Sequence, residues 1–148
     1  MATGKRHLFV GLVFVYIFIF FISNYIFKPS IQDIFLYIVI GLLFAIWPDV
    51  DTKSLGQKVF YTIFLLMDVY LIWKHQYKIA AFFGLIIILP VLAKHRGWTH
   101  SKIAMVLVPL PILLYPMITG GLLDFSNLPF YTVAVIGYFS HLLLDGRF

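Results

Sequence analysis

The chain has 148 residues, of which 62% are hydrophobic and only 11% charged, and its net charge is +5. A water-soluble domain averages about 45–50% apolar and about 25% charged residues, and a fold of this size has too little interior to hide the apolar surplus from water. Disulfides and thiolate metal sites are excluded, because there is no cysteine. The basic residues stand singly or in pairs between apolar runs, which speaks against nucleic acid as a partner and for the lipid bilayer.

Six apolar segments follow one another: Leu8–Phe27, Ile31–Trp47, Lys58–Trp73, Lys78–Ala93, Ile103–Thr119 and Leu128–Leu144. The first is preceded by Lys5 and Arg6, as a secretory signal would be. Its apolar run is roughly 20 residues, enough to span, whereas a signal core is about 7–15. It is therefore expected to stay in the membrane. The other segments sit near the short end of the spanning range of about 17–25 residues. Pro90, Pro109, Pro111 and Pro116 fall in or near these runs and predict kinks whose freed carbonyls are met by neighbouring helices. No repeat and no low-complexity linker interrupts the chain. The expected fold is all-α: a polytopic transmembrane helix bundle of about six spans, one integral membrane domain over residues 1–148.

With six spans and a cytoplasmic N-terminus, one side receives Lys5, Arg6, Lys53, Lys58, Lys94, Arg96, Lys102 and Arg147, and the other only Lys28, Lys74 and Lys78. That bias predicts both termini in the cytoplasm. The same side also collects His7, Asp49, Asp51, His95, His100, His141 and Asp145. Asp33, His75 and Asp124 are expected in far-side loops, and Asp68 lies within a span.

Three groups on the crowded side can carry chemistry. Trp47-Pro48-Asp49-Val50-Asp51 ends one apolar helix, and in extended backbone its two carboxylates would face one way. Such a pair calls for a cation, since like charges this close oppose each other's ionisation. Two solvated loop residues, or a turn capped through Lys53 and Ser54, explain the same string. Lys94-His95-Arg96-Gly97-Trp98-Thr99-His100-Ser101 places two imidazoles around a glycine that permits a turn, so both can converge. Arg96 offers a fork for phosphate oxygens, and Thr99 or Ser101 can cap the next helix. A basic loop accounts for Lys94, Arg96 and Lys102 but not for the histidines. His141 and Asp145 are spaced to share one helix face, where a carboxylate either ligates a metal or orients the imidazole that does. Ionisable groups at a membrane helix end are costly and usually functional. By itself, His7 reads as an interfacial polar residue.

The strings Trp-Pro-Asp-Val-Asp-Thr-Lys-Ser-Leu-Gly-Gln, His-Arg-Gly-Trp-Thr-His-Ser and Gly-Tyr-Phe-Ser-His-Leu-Leu-Leu-Asp, in this order, resemble the YdjM-like family of inner-membrane proteins described as metal-dependent hydrolases. The resemblance runs from about His7 to Asp145 and implies a metal site built from Asp49, Asp51, His95, His100, His141 and Asp145. The family also carries a histidine near the start of its first helix with a small residue four positions on. His7 and Gly11 match that pattern, which adds His7 to the implied ligands.

These ligands outnumber the four of one tetrahedral zinc site. The expected cofactor is a divalent metal, zinc first, as one or two ions, with manganese or magnesium as alternatives. An aspartate would bridge a two-ion centre. Such a centre suits phosphoesters, and its depth suggests a phospholipid substrate at the cytoplasmic headgroups. Lys94 and Arg96 would hold the phosphate, and Asp49 and Arg96 would be catalytic, Asp49 as base. Two readings compete. One is a metal-free lipid phosphatase with a histidine nucleophile, which would resist chelators. The other is a metal or proton transporter, which needs polar residues through the membrane depth, where only Asp68 stands.

Overall fold

The computed structural model describes residues 4–51, 53–78, 80–81, 84, 98–120 and 125–146, with side chains at all of these except 117–120. Among them every regular element is helical. In chain order these are α1 (Gly4–Tyr25), α2 (Ile31–Ile46), a 3-10 turn (Trp47–Asp51), α3 (Leu55–Trp73), a second 3-10 turn (Trp98–His100), α4 (Lys102–Leu107), α5 (Leu110–Gly120) and α6 (Leu128–Leu144). Three are long and apolar enough to cross a membrane: Gly4–Tyr25, Ile31–Asp51 and Leu55–Trp73. Lys102–Pro116 and Leu128–Leu144 are shorter apolar helices. Most of the segment expected at Lys78–Ala93 lies outside the described residues, as do Pro90 and Asp124.

The helix α1 buries His7, Gly11, Val15, Phe18 and Ile22, a single stripe at helical spacing. Its other faces expose Phe9, Leu12, Val13, Tyr16, Ile17, Phe20 and Phe21. In water such a surface would be an aggregation site; against lipid tails it costs nothing. The opposite case is α6, which buries Val133, Ala134, Gly137, Tyr138, Ser140, His141 and Leu142 and so is covered on nearly every side. It is the central helix, packed against α1, α2 and α4. Val15, Phe18, Ile22, Tyr37 and Val133 form the apolar core of α1, α2 and α6. Ala104, Tyr138 and Leu142 join α4 to α6.

Small residues set how closely these helices approach, as is usual where lipid gives no hydrophobic drive between helices. A Cβ on Gly137 would run into the Gly41 carbonyl oxygen, so α2 and α6 touch backbone to backbone. A Cβ on Gly11 would stand 2.6 Å from the Ala45 Cβ, so α1 also lies close to α2. This is the packing reason for a small residue one turn after His7.

The element starts follow local chemistry. Ser30 and Asp33 form a capping box on α2, with the Asp33 amide donating to Ser30 Oγ at 3.1 Å and the Ser30 amide to Asp33 Oδ2 at 3.2 Å. Asp33 is thus a first-turn helix residue rather than the loop residue its position suggested. The expected segment Ile103–Thr119 is two helices, broken at Val108 and Pro109. Proline cannot supply the amide that the preceding turn needs. Pro116 sits inside α5, and the carbonyl it would otherwise leave without an amide is that of Ile112. That carbonyl accepts from Asn127 Nδ2 at 3.0 Å. Tyr131 donates from α6 to the Val106 carbonyl at 3.2 Å, beside the break.

Candidate metal centre

The 3-10 turn Trp47–Asp51 decides where the two carboxylates go. At three residues per turn, positions two apart do not share a face, so Asp49 and Asp51 diverge where extended backbone would have aligned them. Ser54 locks the turn: its hydroxyl donates to the Asp49 carbonyl at 2.7 Å and accepts from the Gln57 amide at 3.2 Å, capping α3. Asp49 is then buried and aimed at the end of α6. Asp51 turns toward Thr99.

His141 and Asp145 come from the last turn of α6 and its C-cap. His100 closes the second 3-10 turn. His141 Nε2 lies 3.7 Å from Asp49 Oδ1 and 3.6 Å from Asp145 Oδ2. His100 Nε2 lies 3.6 Å from Asp49 Oδ1 and 3.9 Å from Asp145 Oδ2. One ligand atom from each of these four residues fits within 4.8 Å of all the others. On the opposite edge His7 Nε2 stands 3.5 Å from Asp145 Oδ1. The two oxygens of Asp145 therefore face different histidines. The His7 ring stacks on that of His141, with centroids 3.8 Å apart and planes 12° from parallel.

These separations are too long for good hydrogen bonds and close to what a shared cation requires. Two donors each about 2.0–2.1 Å from one zinc ion at the tetrahedral angle lie about 3.4 Å apart. The buried Nε2 atoms of His100 and His141 have no hydrogen-bond partner among the described residues, and a buried polar atom without one needs an explanation. The donor set of two imidazoles and two carboxylates therefore fits a divalent cation.

The other ring nitrogens are held. His141 Nδ1 lies 2.8 Å from the Ala45 carbonyl oxygen. A carbonyl only accepts, so Nδ1 carries the hydrogen and Nε2 offers its lone pair inward. In the i→i+3 pattern of the following turn, the partner of that carbonyl would be the Pro48 nitrogen, which has no hydrogen. A carbonyl at a helix end thereby fixes a candidate ligand's tautomer. His100 Nδ1 lies 3.2 Å from Thr99 Oγ1, and Thr99 Oγ1 donates to Asp51 Oδ2 at 3.2 Å.

Of the residues singled out in the sequence, the fold brings together His7, Asp49, His100, His141 and Asp145. Asp51 stands beside that cluster and reaches it through Thr99. Lys94, His95 and Arg96 lie outside the described residues. Asp68 is a partly buried residue of α3, and His75 shares a 2.8 Å hydrogen bond with Tyr77 past the far end of α3. Sequence reasoning did not find the Ala45 carbonyl, which no side chain marks. It offered Thr99 or Ser101 as helix cap; Ser101 takes that role, accepting from the Ala104 amide at 3.0 Å, which leaves Thr99 to the site.

No curated protein and no solved structure matches this chain. The family model described as YdjM inner membrane protein matches residues 1–147. That match covers every described residue of the histidine–aspartate cluster, and the chain belongs to the YdjM inner membrane protein family.

Proposed function

We propose that this protein is a membrane-embedded, metal-dependent hydrolase that cleaves a phosphoester of a phospholipid-like substrate at the cytoplasmic headgroup layer. The observation that carries the reading is the convergence of His100 Nε2, His141 Nε2 and the carboxylates of Asp49 and Asp145 within 4.8 Å. Both imidazoles have their Nδ1 atoms engaged elsewhere. In this reading Asp49, His100, His141 and Asp145 hold one cation. A second cation would be held by Asp145, whose other oxygen faces His7, with His95 as a further ligand. Zinc suits the mixed imidazole and carboxylate donor set, and manganese or magnesium are the alternatives.

A divalent cation supplies Lewis acidity there, polarising a phosphoryl oxygen and making water acidic enough to ionise near neutral pH. The chain's own groups do the rest. Lys94 and Arg96 hold the phosphate oxygens, Arg96 through its planar fork. A carboxylate oxygen of Asp49 takes the proton from the attacking water. Water adds at phosphorus and the ester oxygen leaves with the proton. With six spans, the charge bias of the sequence supports both termini, and the site, on the cytoplasmic side.

The test is element-resolved metal analysis of the protein purified in detergent, beside His100→Ala and Asp49→Asn. The expected result is zinc bound in the wild type and reduced in both variants, with phosphodiester hydrolysis in mixed micelles abolished by chelator. A wild type without divalent metal above background overturns the proposal. Hydrolysis that survives chelation would instead fit the metal-free phosphatase.

A further inference from the structure

Thr99 has no exposed surface, and both functions of its hydroxyl are used. It donates to Asp51 Oδ2 at 3.2 Å. A hydroxyl has one hydrogen, so toward His100 Nδ1, also at 3.2 Å, it can only accept. A chain in which Thr99 Oγ1–H donates to Asp51 therefore has His100 Nδ1–H donating to Thr99 Oγ1. The consequence falls on the far side of the neutral ring, where Nε2 then carries the lone pair and faces Asp49 and Asp145. Without the carboxylate's demand for a hydrogen, the hydroxyl could turn and donate to Nδ1. The proton would then sit on Nε2, where it blocks ligation.

The backbone is held as firmly. The Tyr138 hydroxyl, fully buried on α6, donates to the Thr99 carbonyl. Tyr138 sits one turn before His141 and Leu142, so one helix face sets both the second imidazole and the turn carrying the first. Asp51 belongs to the other 3-10 turn. The relay therefore ties together the two short turns that flank the site.

We infer that Thr99 is a positioning residue that transmits the Asp51 carboxylate to His100 and holds its imidazole in the ligating tautomer. In this role Asp51 orients a ligand instead of being one. The inference rests on the metal-centre reading for its meaning, but the tautomer itself can be read without metal.

The experiment uses the full-length protein in detergent and zinc as the probe. Thr99→Val keeps the shape and removes the hydroxyl. It is expected to weaken zinc binding about 10–100-fold in chelator competition, the usual cost of losing a partner behind a ligand, with zinc per chain at saturation unchanged. Thr99→Ser should restore the affinity. In the metal-free protein at alkaline pH, nitrogen-15 imidazole spectra should show His100 as Nδ1–H in the wild type and as a tautomer mixture in Thr99→Val. Asp51→Asn retains an accepting oxygen and should keep the tautomer, whereas Asp51→Ala should lose it. These two variants decide the matter if Thr99→Val does not fold. Unchanged affinity in Thr99→Val, or an unchanged His100 tautomer in both Thr99→Val and Asp51→Ala, overturns the inference. Asp51→Asn that abolishes zinc binding with the tautomer intact would also overturn it, making Asp51 a ligand. A wild type that binds no zinc would sink the metal-centre reading alone, and the tautomer spectra would still decide the relay.

Discussion

His141 donates from Nδ1 to the Ala45 carbonyl at 2.8 Å, joining the last turn of α6 to the last turn of α2. One hydrogen bond thus serves both the packing of the bundle and the aim of a candidate metal ligand. His141→Ala should therefore do two kinds of damage. Metal content should fall, because a donor is lost. Stability should also fall, by about 1–3 kcal/mol for leaving a buried acceptor unmet. Thermal unfolding in detergent with metal removed from both proteins would isolate the second effect; equal melting temperatures would contradict it.

Gly137→Ala should separate helices without touching a ligand. Its new methyl group would meet the Gly41 carbonyl, and overpacking of this kind costs typically about 1–3 kcal/mol. Since the same α2–α6 contact carries Ala45 to His141, zinc affinity should fall along with the melting temperature. A variant as stable as the wild type would mean that the two backbones have room to spare.

Chelation should destabilise the wild type, because a cation that binds only the folded chain adds stability by mass action. The gain is about 2.7 kcal/mol at a free concentration of one hundred times Kd. Adding zinc back should restore the melting temperature. The same titration on His100→Ala should move it little, and an equal response in both proteins would place the stabilising ion elsewhere.

Asn127→Ala gives the complementary result. Asn127 meets the Ile112 carbonyl beside Pro116, at the end of α6 away from the histidines. Removing it should cost about 0.5–1.5 kcal/mol and leave zinc affinity unchanged. Lost zinc binding would show that the proline-broken helices reach further into the site than their contacts suggest.

The parts of this protein that are legible from sequence are those written in side-chain type and spacing. Leu128–Leu144 is found with its predicted bounds because Asn127 and Asp145 bracket a mostly apolar run. The apolar run Lys102–Gly120 is broken at Val108 and Pro109, as a proline predicts, whereas Pro116 is carried inside a continuous helix. His141 and Asp145 come together because one turn of helix is a local fact. Asp49 and Asp51 are different. Their relative aim depends on a switch to 3-10 geometry that Ser54 pins from outside the string, and alternation along the sequence does not contain it. The contribution of Ala45 is invisible for another reason: its donated chemistry is a backbone oxygen, made available by a neighbouring proline and met by a residue of α6.

The central position of α6 also bears on how the bundle is assembled. Chains enter the membrane from their N-terminal end, so α1 and α2 arrive well before the helix that both of them enclose. Until α6 docks, Gly11, Gly41 and Ala45 border an open seam, and His7 and Asp49 wait at its mouth without the imidazole and carboxylate they later face. Arrival of α6 is then both the closing of the seam and the assembly of the candidate site. In a half-inserted chain the candidate ligands stand apart, and they meet only once the helices have docked.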